Sequence, residues 1–192
     1  MKILVLNASP RVKGTVAALI EEMRASIKAA HSVEVVPVQN LDMRPCTGCM
    51  KCRPDKACIR PRDDAHGLAE KVKNADVLIV GAPVYWGNMP GPLKIFFDRN
   101  VPLFEYCEAK SIRYIPRPRL KGKRAVIIVS SAAPFPYNLL PSQSKGTIRS
   151  LETVLRAGGV KIIGTINIAD SYNFEKKKDV YFKKARKIAA SL

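Results

Sequence analysis

Apolar residues gather along this chain in five short runs, Lys2–Asn7, Val33–Val38, Asp76–Pro83, Arg124–Ser130 and Val160–Ala169. Each is rich in Val, Ile and Leu, is bounded by polar residues, Gly or Pro, and lacks strict alternation. That pattern predicts strands buried on both faces. Between the runs the period changes. Thr15–Ala30 sets Val16, Leu19, Ile20, Met23 and Ile27 at helical spacing, which predicts an amphipathic helix. Asp63 or Asp64 is placed to cap a helix reaching about Lys73, with Leu68 and Val72 inward. Pro92–Arg99 reads as a helix with proline in its first turn, and its Leu93, Ile95, Phe96 and Phe97 divide between core and interface. Ser144–Ala157 is a further helix stopped by Gly158-Gly159, and Lys176–Ala190 is a basic helix closing the chain. Leu41–Pro61 reads as an irregular excursion. Asn100–Lys121, with Pro102, Pro116 and Pro118 and no period, reads as an extended loop. Apolar strands separated by helical stretches predict a doubly wound α/β domain, because parallel strands need crossovers that cover both sheet faces. Internal repeats and low-complexity tracts are absent.

The length of 192 residues suits one domain spanning 1–192 with a substantial core. The first residues lack the charged, apolar and cleavage regions of a signal peptide, and no stretch approaches the roughly 20 apolar residues that span a bilayer. The expectation is a cytoplasmic protein with no membrane association, in which thiols stay reduced. Thirty-three Lys and Arg against sixteen Asp and Glu leave a formal charge of +17, which favours anionic partners. The excess is concentrated: six basic residues to one acidic over Arg44–Arg62, eight to two over Arg99–Arg124, and seven to two over Glu175–Lys187. No helix-turn-helix, zinc-finger or aromatic-interleaved basic signature accompanies the charge, which argues against nucleic acid. An acidic protein partner, an anionic cofactor and a solubilising surface remain open.

Four cysteines, Cys46, Cys49, Cys52 and Cys58, follow a C-x2-C-x2-C-x5-C spacing. One short loop thus supplies four thiolates, as iron–sulfur clusters require. Structural zinc sites usually draw on separated cysteine pairs, and this run is closer to the bacterial ferredoxin pattern, although no proline follows its last cysteine. Zinc, free thiols and a redox disulfide stay as alternatives. Cys107 lies outside the run and reads as a buried or loop thiol. His31 and His66 are isolated and read as surface or capping residues.

In a doubly wound sheet, ligands sit beyond the carboxyl ends of the strands. Three loops there carry suggestive chemistry. Ser9-Pro-Arg-Val-Lys-Gly-Thr15 offers hydroxyls, the cations Arg11 and Lys13, a glycine and a helix N-terminus, which together make a phosphate cradle. An ordinary capped turn is the alternative. The loop matches neither the dinucleotide fingerprint nor the Walker sequence. Pro83-Val84-Tyr85-Trp86-Gly87-Asn88-Met89 sets two large rings at a strand end, which suits a flat ligand stacking nearby; otherwise Trp86 fills core. Ser130-Ser131-Ala132 offers small residues against which a ring could lie. A phosphate cradle beside an aromatic and small-residue slot describes flavin mononucleotide.

These residues resemble the flavodoxin-like NAD(P)H-dependent FMN reductases, and within them the iron–sulfur flavoproteins. The resemblance rests on Asn7-Ala-Ser-Pro-Arg11, on the cysteine run, and on Gly81 through Arg99. It covers about the first half of the chain; the second half matches in its order of elements. The resemblance implies strand order 2-1-3-4-5, FMN held by the first, third and fourth strand-end loops, and a homodimer or homotetramer with flavin near a subunit boundary. It places Ser9, Arg11 and Thr15 on the phosphate, and Pro83, Tyr85, Trp86, Gly87, Asn88 and Met89 beside the isoalloxazine. Cys46, Cys49, Cys52 and Cys58 would bind a [4Fe-4S] cluster. Where the family loop usually reads Gly-Asn-Thr, this chain has Gly14-Thr15-Val16 and loses the final hydroxyl. The cofactor-binding set is therefore Ser9, Arg11, Lys13, Thr15, Val16, Pro83, Val84, Tyr85, Trp86, Gly87, Asn88, Met89, Ser130, Ser131 and Ala132.

The expected function is an FMN-dependent electron-transfer oxidoreductase with a [4Fe-4S] cluster, in which the flavin carries the chemistry and no side chain need act as acid or base. NAD(P)H is a possible co-substrate, a small molecule the acceptor, and an acidic carrier such as ferredoxin a partner for the basic cysteine region. The alternative is a cluster-free NAD(P)H-dependent FMN or quinone reductase. A third reading is a flavin-free nucleic-acid-binding protein on the same scaffold.

Overall fold

The computed structural model describes residues 1–53, 56–106 and 117–192. Five parallel strands form the sheet: β1 (Lys2–Asn7), β2 (Ser32–Pro37), β3 (Val77–Pro83), β6 (Arg124–Ser130) and β7 (Lys161–Ile168). Their order, β2-β1-β3-β6-β7, is the expected 2-1-3-4-5 of the main strands. Strands β3 and β6 are buried along nearly their whole length, which is why they read as unbroken apolar runs.

Alternate side chains of each strand feed two cores. Ile3, Val5, Ile79 and Ile128 pack with α1 (Thr15–Ser26) and α6 (Lys178–Ala190) on one face. Leu4, Leu6, Leu78 and Ile127 pack with α2 (Asp64–Asn74), α3 (Gly91–Arg99) and α5 (Ser144–Ala157) on the other. A fully buried side chain of this size stabilises by about 1.5–3 kcal/mol, so these two layers hold the sheet. Gly81 lets α1 sit close on β3: a Cβ there would meet Val16 Cγ1 at 2.7 Å and Ile20 Cδ1 at 2.9 Å.

Three elements differ from expectation. The first helix stops at Ser26, because Ile27 turns extended (φ −77°, ψ 137°) and still reaches the core. The last helix begins at Lys178, after a tighter 3₁₀ segment over Ser171–Lys177. The stretch after Asn100 is not simply a loop: it holds α4 (Val101–Phe104), with Pro102 in its first turn, and a two-residue ribbon pairing β4 (Glu105–Tyr106) with β5 (Arg117–Pro118). Phe97 and Phe104 meet edge to face at 5.4 Å, which fixes α4 on the end of α3. Cys107 lies outside the described residues. Among the described residues no helix is long and apolar enough to cross a membrane.

Candidate functional site

The first strand-end loop folds on its own polar groups. Asn7 Oδ1 accepts the Ser9 amide at 3.0 Å, and Ser9 Oγ accepts the Arg11 amide at 3.2 Å. The Gly14 amide donates to the Arg11 carbonyl at 3.1 Å, and α1 starts at the next residue with no side chain capping it. A helix N-terminus in this state offers backbone N–H groups and a positive dipole end to an anion. The loop borders a cavity of about 190 Å³. Of the expected cofactor residues, the structure brings Ser9, Arg11, Thr15, Val16, Pro83, Val84, Tyr85, Ser130 and Ala132 together on its lining. The volume falls below the roughly 300–1,000 Å³ of pockets that enclose a small molecule, so a ligand held here would also lie across the open rim.

The rim is aromatic. Tyr85 and Asn88 exchange both backbone hydrogen bonds, at 3.0 and 2.9 Å, around a two-residue turn. Trp86 (φ 52°) and Gly87 (φ 72°) both lie in the left-handed region, as a type I′ turn demands. Trp86 therefore does not fill core; its ring is fully exposed, at 101% relative accessibility. A bulky residue held in left-handed backbone costs of order 1–3 kcal/mol, and such strain gathers at functional sites. The turn is held from behind by α5, where a Cβ on Gly146 would meet the Gly87 carbonyl at 2.4 Å.

Other expected residues stand off the cavity. Lys13, Trp86, Gly87 and Asn88 are outside its lining, and Met89 is buried in the core beneath the loop. Asn88 Oδ1 accepts the Met89 amide at 2.8 Å, so it shapes the loop. Ser131 is 1% exposed; its hydroxyl donates to Gln143 Oε1 at 3.1 Å and accepts the Ala133 amide. Ser171 and Tyr172, after β7, join the lining and were not anticipated. Their position after a fifth parallel strand was the available signal.

The cysteine loop lies between the short turn after β2 and the start of α2. All four cysteines of the run are free thiols and border a cavity of about 90 Å³ that shares no lining residue with the first. Cys46 and Cys49 are exposed, Cys52 and Cys58 half-buried. Among the described residues no three His, Cys, Asp or Glu side chains stand close enough to grip a metal ion. Burial pushes the Cys52 thiol above its ordinary range, whereas the Lys51 amide bonded to the Cys49 sulfur pulls that thiol down.

Cys58 is fixed most firmly. Arg99 Nε donates to its Sγ at 3.2 Å, and the His66 ring is 3.1 Å from its carbonyl oxygen. Arg99, 2% exposed at the end of α3, also forks onto the Asp63 carboxylate at 2.7 and 3.2 Å and donates to the Arg44 carbonyl. Asp63 in turn caps α2, accepting the Ala65 amide, while His66 closes the capping box. Burial raises the Asp63 carboxyl, but Arg99 and the amides of Arg44 and Ala65 outweigh it and hold its pKa at about 2. His66 thus has the capping role read from sequence; the part played by Arg99 was missed, because 41 residues separate it from Cys58 along the chain.

The donor set suits an anionic sulfur-ligated centre. Besides the thiols, the cysteine cavity is lined by Arg53 and Arg60, whose Nη1 and Nε atoms respectively are buried without a hydrogen-bond partner. Buried polar groups are otherwise nearly always paired, so these donors lack an acceptor that a thiolate-bound cluster would supply.

The family model described as flavodoxin-like fold matches residues 1–192. An iron-sulfur flavoprotein of Methanocaldococcus jannaschii is 33% identical over 104 residues, 54% of this chain and 53% of that one. The match therefore spans about half the length of that relative. An FMN-dependent NADH:quinone oxidoreductase of Haemophilus influenzae is 44% identical over 64 residues, 32% of this chain and 30% of the relative. Among solved structures, an azoreductase from Bacillus anthracis superposes over 100% of both chains with a TM-score of 0.77 at 15% identity, a likeness of fold.

Proposed function

The chain belongs to the flavodoxin-like fold family, and on that premise we propose that it is an FMN-dependent oxidoreductase whose cysteine loop carries a [4Fe-4S] cluster. One observation carries the flavin reading: an uncapped helix N-terminus, the Tyr85 ring and the small residues Ser130 and Ala132 border one cavity at the carboxyl rim of the sheet. The cluster reading is supported by the four-thiol cavity with its unpaired guanidinium nitrogens.

Bound FMN would supply two-electron exchange with a nicotinamide or small acceptor, and the cluster one-electron exchange with a carrier protein. The chain's own groups bind and orient. Ser9, Arg11, Thr15 and the first amides of α1 would hold the phosphate, through charge-assisted hydrogen bonds and the helix dipole. Tyr85 and Trp86 would border the ring, with Gly87 allowing close approach of backbone. Cys46, Cys49, Cys52 and Cys58 would ligate iron, with Cys58 pre-set by Arg99 and His66. Its acidic carrier, such as ferredoxin, would dock on the basic surface around the cysteines.

A cluster-free NAD(P)H-dependent FMN or quinone reductase is the second reading, favoured by the exposure of Cys46 and Cys49 and by the lack of a converged metal-gripping triad among the described residues. Anaerobic purification with iron, sulfide and flavin assays separates the two. The expected product is yellow-brown, with a broad band at about 400 nm that dithionite bleaches beyond the flavin contribution. Flavin alone favours the second reading. Colourless protein that takes up no added FMN overturns both.

A further inference from the structure

We propose that Arg53, Arg60 and Arg99 form a wall of guanidinium donors that holds the anionic centre in the cysteine cavity and raises its reduction potential, an inference that rests on the cluster reading above. The three come from separate places: Arg53 follows Cys52, Arg60 lies two residues beyond Cys58, and Arg99 ends α3. All three line the same cavity.

Two of the three are anchored by a carboxylate elsewhere in the fold. Arg53 Nη2 reaches Glu105 Oε1 of β4 at 3.3 Å, while its Nη1 is buried and unpartnered. Arg99 commits both terminal nitrogens to Asp63 and leaves Nε for the Cys58 sulfur at 3.2 Å. Arg60 likewise has a buried, unpartnered Nε. Buried donors are nearly always paired, so two unpaired ones on residues that line one four-thiol cavity point to a guest rich in acceptors. Asp98 is the one carboxylate among the described lining residues, and Lys94 pairs it at 2.6 and 2.7 Å. Four thiolates around the iron make the loaded site anionic, and reduction adds one more electron. Positive charge and N–H groups directed at sulfur therefore favour the reduced form. A purely structural set of arginines would leave the potential unmoved.

Arg99 also anchors Asp63, so its loss could unfold the loop; Arg53→Gln and Arg60→Gln carry the test. Protein reconstituted anaerobically with iron and sulfide is titrated with dithionite while electron paramagnetic resonance follows the cluster and visible absorbance follows the flavin. Each variant should make the cluster about tenfold harder to reduce, a midpoint about 59 mV lower for a one-electron couple, with the flavin midpoint unchanged. Iron loss from a variant whose circular dichroism matches wild type supports the holding role. Full iron with an unshifted cluster midpoint in both variants overturns the wall and leaves the cluster standing. Wild-type protein that assembles no cluster overturns the cluster reading, and the wall falls with it.

Discussion

Asp63 shows how much a single carboxylate organises here. It caps α2, pairs with the almost fully buried Arg99, and through Arg99 orients the Cys58 sulfur. Its carboxyl sits at a pKa of about 2 against an ordinary 3.8. A depressed carboxyl pKa stabilises the folded state fully above the unfolded value, and that contribution is lost as pH falls from about 4 through 2. The size is about 2 kcal/mol. Urea unfolding of wild type and Asp63→Asn should therefore differ most at pH 5 and above, and the gap should narrow by about that amount on reaching pH 2. A gap that stays constant over this range would mean that the Asp63–Arg99 pair contributes no pH-dependent stability. At neutral pH the variant also leaves the Arg99 charge buried without its partner, a loss on the order of 3–5 kcal/mol.

At the scale of elements, the strands were legible because burial on both sheet faces writes itself as an unbroken apolar run; β1 and β6 coincide with the runs that predict them. The helix α5 was legible for another reason, since Gly158-Gly159 ends its period abruptly. The ribbon β4–β5 was not, because two-residue strands carry no period. The same limit hid the conformation of the Tyr85–Asn88 turn: composition suggested an aromatic slot, but a left-handed Trp86 follows from the paired hydrogen bonds across the hairpin, which sequence spacing does not encode. That strain has a measurable consequence. Trp86→Gly relieves the positive φ and removes a ring that buries nothing within the chain. Flavin-free protein should be as stable as wild type or gain up to about 1 kcal/mol by thermal unfolding. The FMN dissociation constant should rise roughly threefold to tenfold, the worth of one aromatic contact. Unchanged FMN affinity would remove Trp86 from the flavin site.

Across the whole molecule, the cysteine spacing marked out one four-thiol loop, but the arginine that fixes Cys58 was out of reach because Arg99 is 41 residues from Cys58 in sequence. The surface field, in contrast, follows directly from composition. With 33 cations and 16 anions, at least 17 basic charges have no acidic counterpart in the chain. Local pairs such as Lys94–Asp98 and Arg24–Glu21 are exposed and worth little each, so they do not cancel that field. Six basic residues flank the cysteines between Arg44 and Arg62, where a carrier protein would approach. Charge steering of this kind raises association rates by 10- to 10³-fold and is screened over about 10 Å at 0.1 M salt. The second-order rate of electron exchange with an acidic ferredoxin, followed by stopped flow, should therefore fall by about tenfold or more between low salt and 0.5 M. Turnover with a neutral quinone should be nearly insensitive to salt, because no charge steers it. Salt-independent exchange with the ferredoxin would exclude docking on the basic face and leave the excess charge as a solubilising surface.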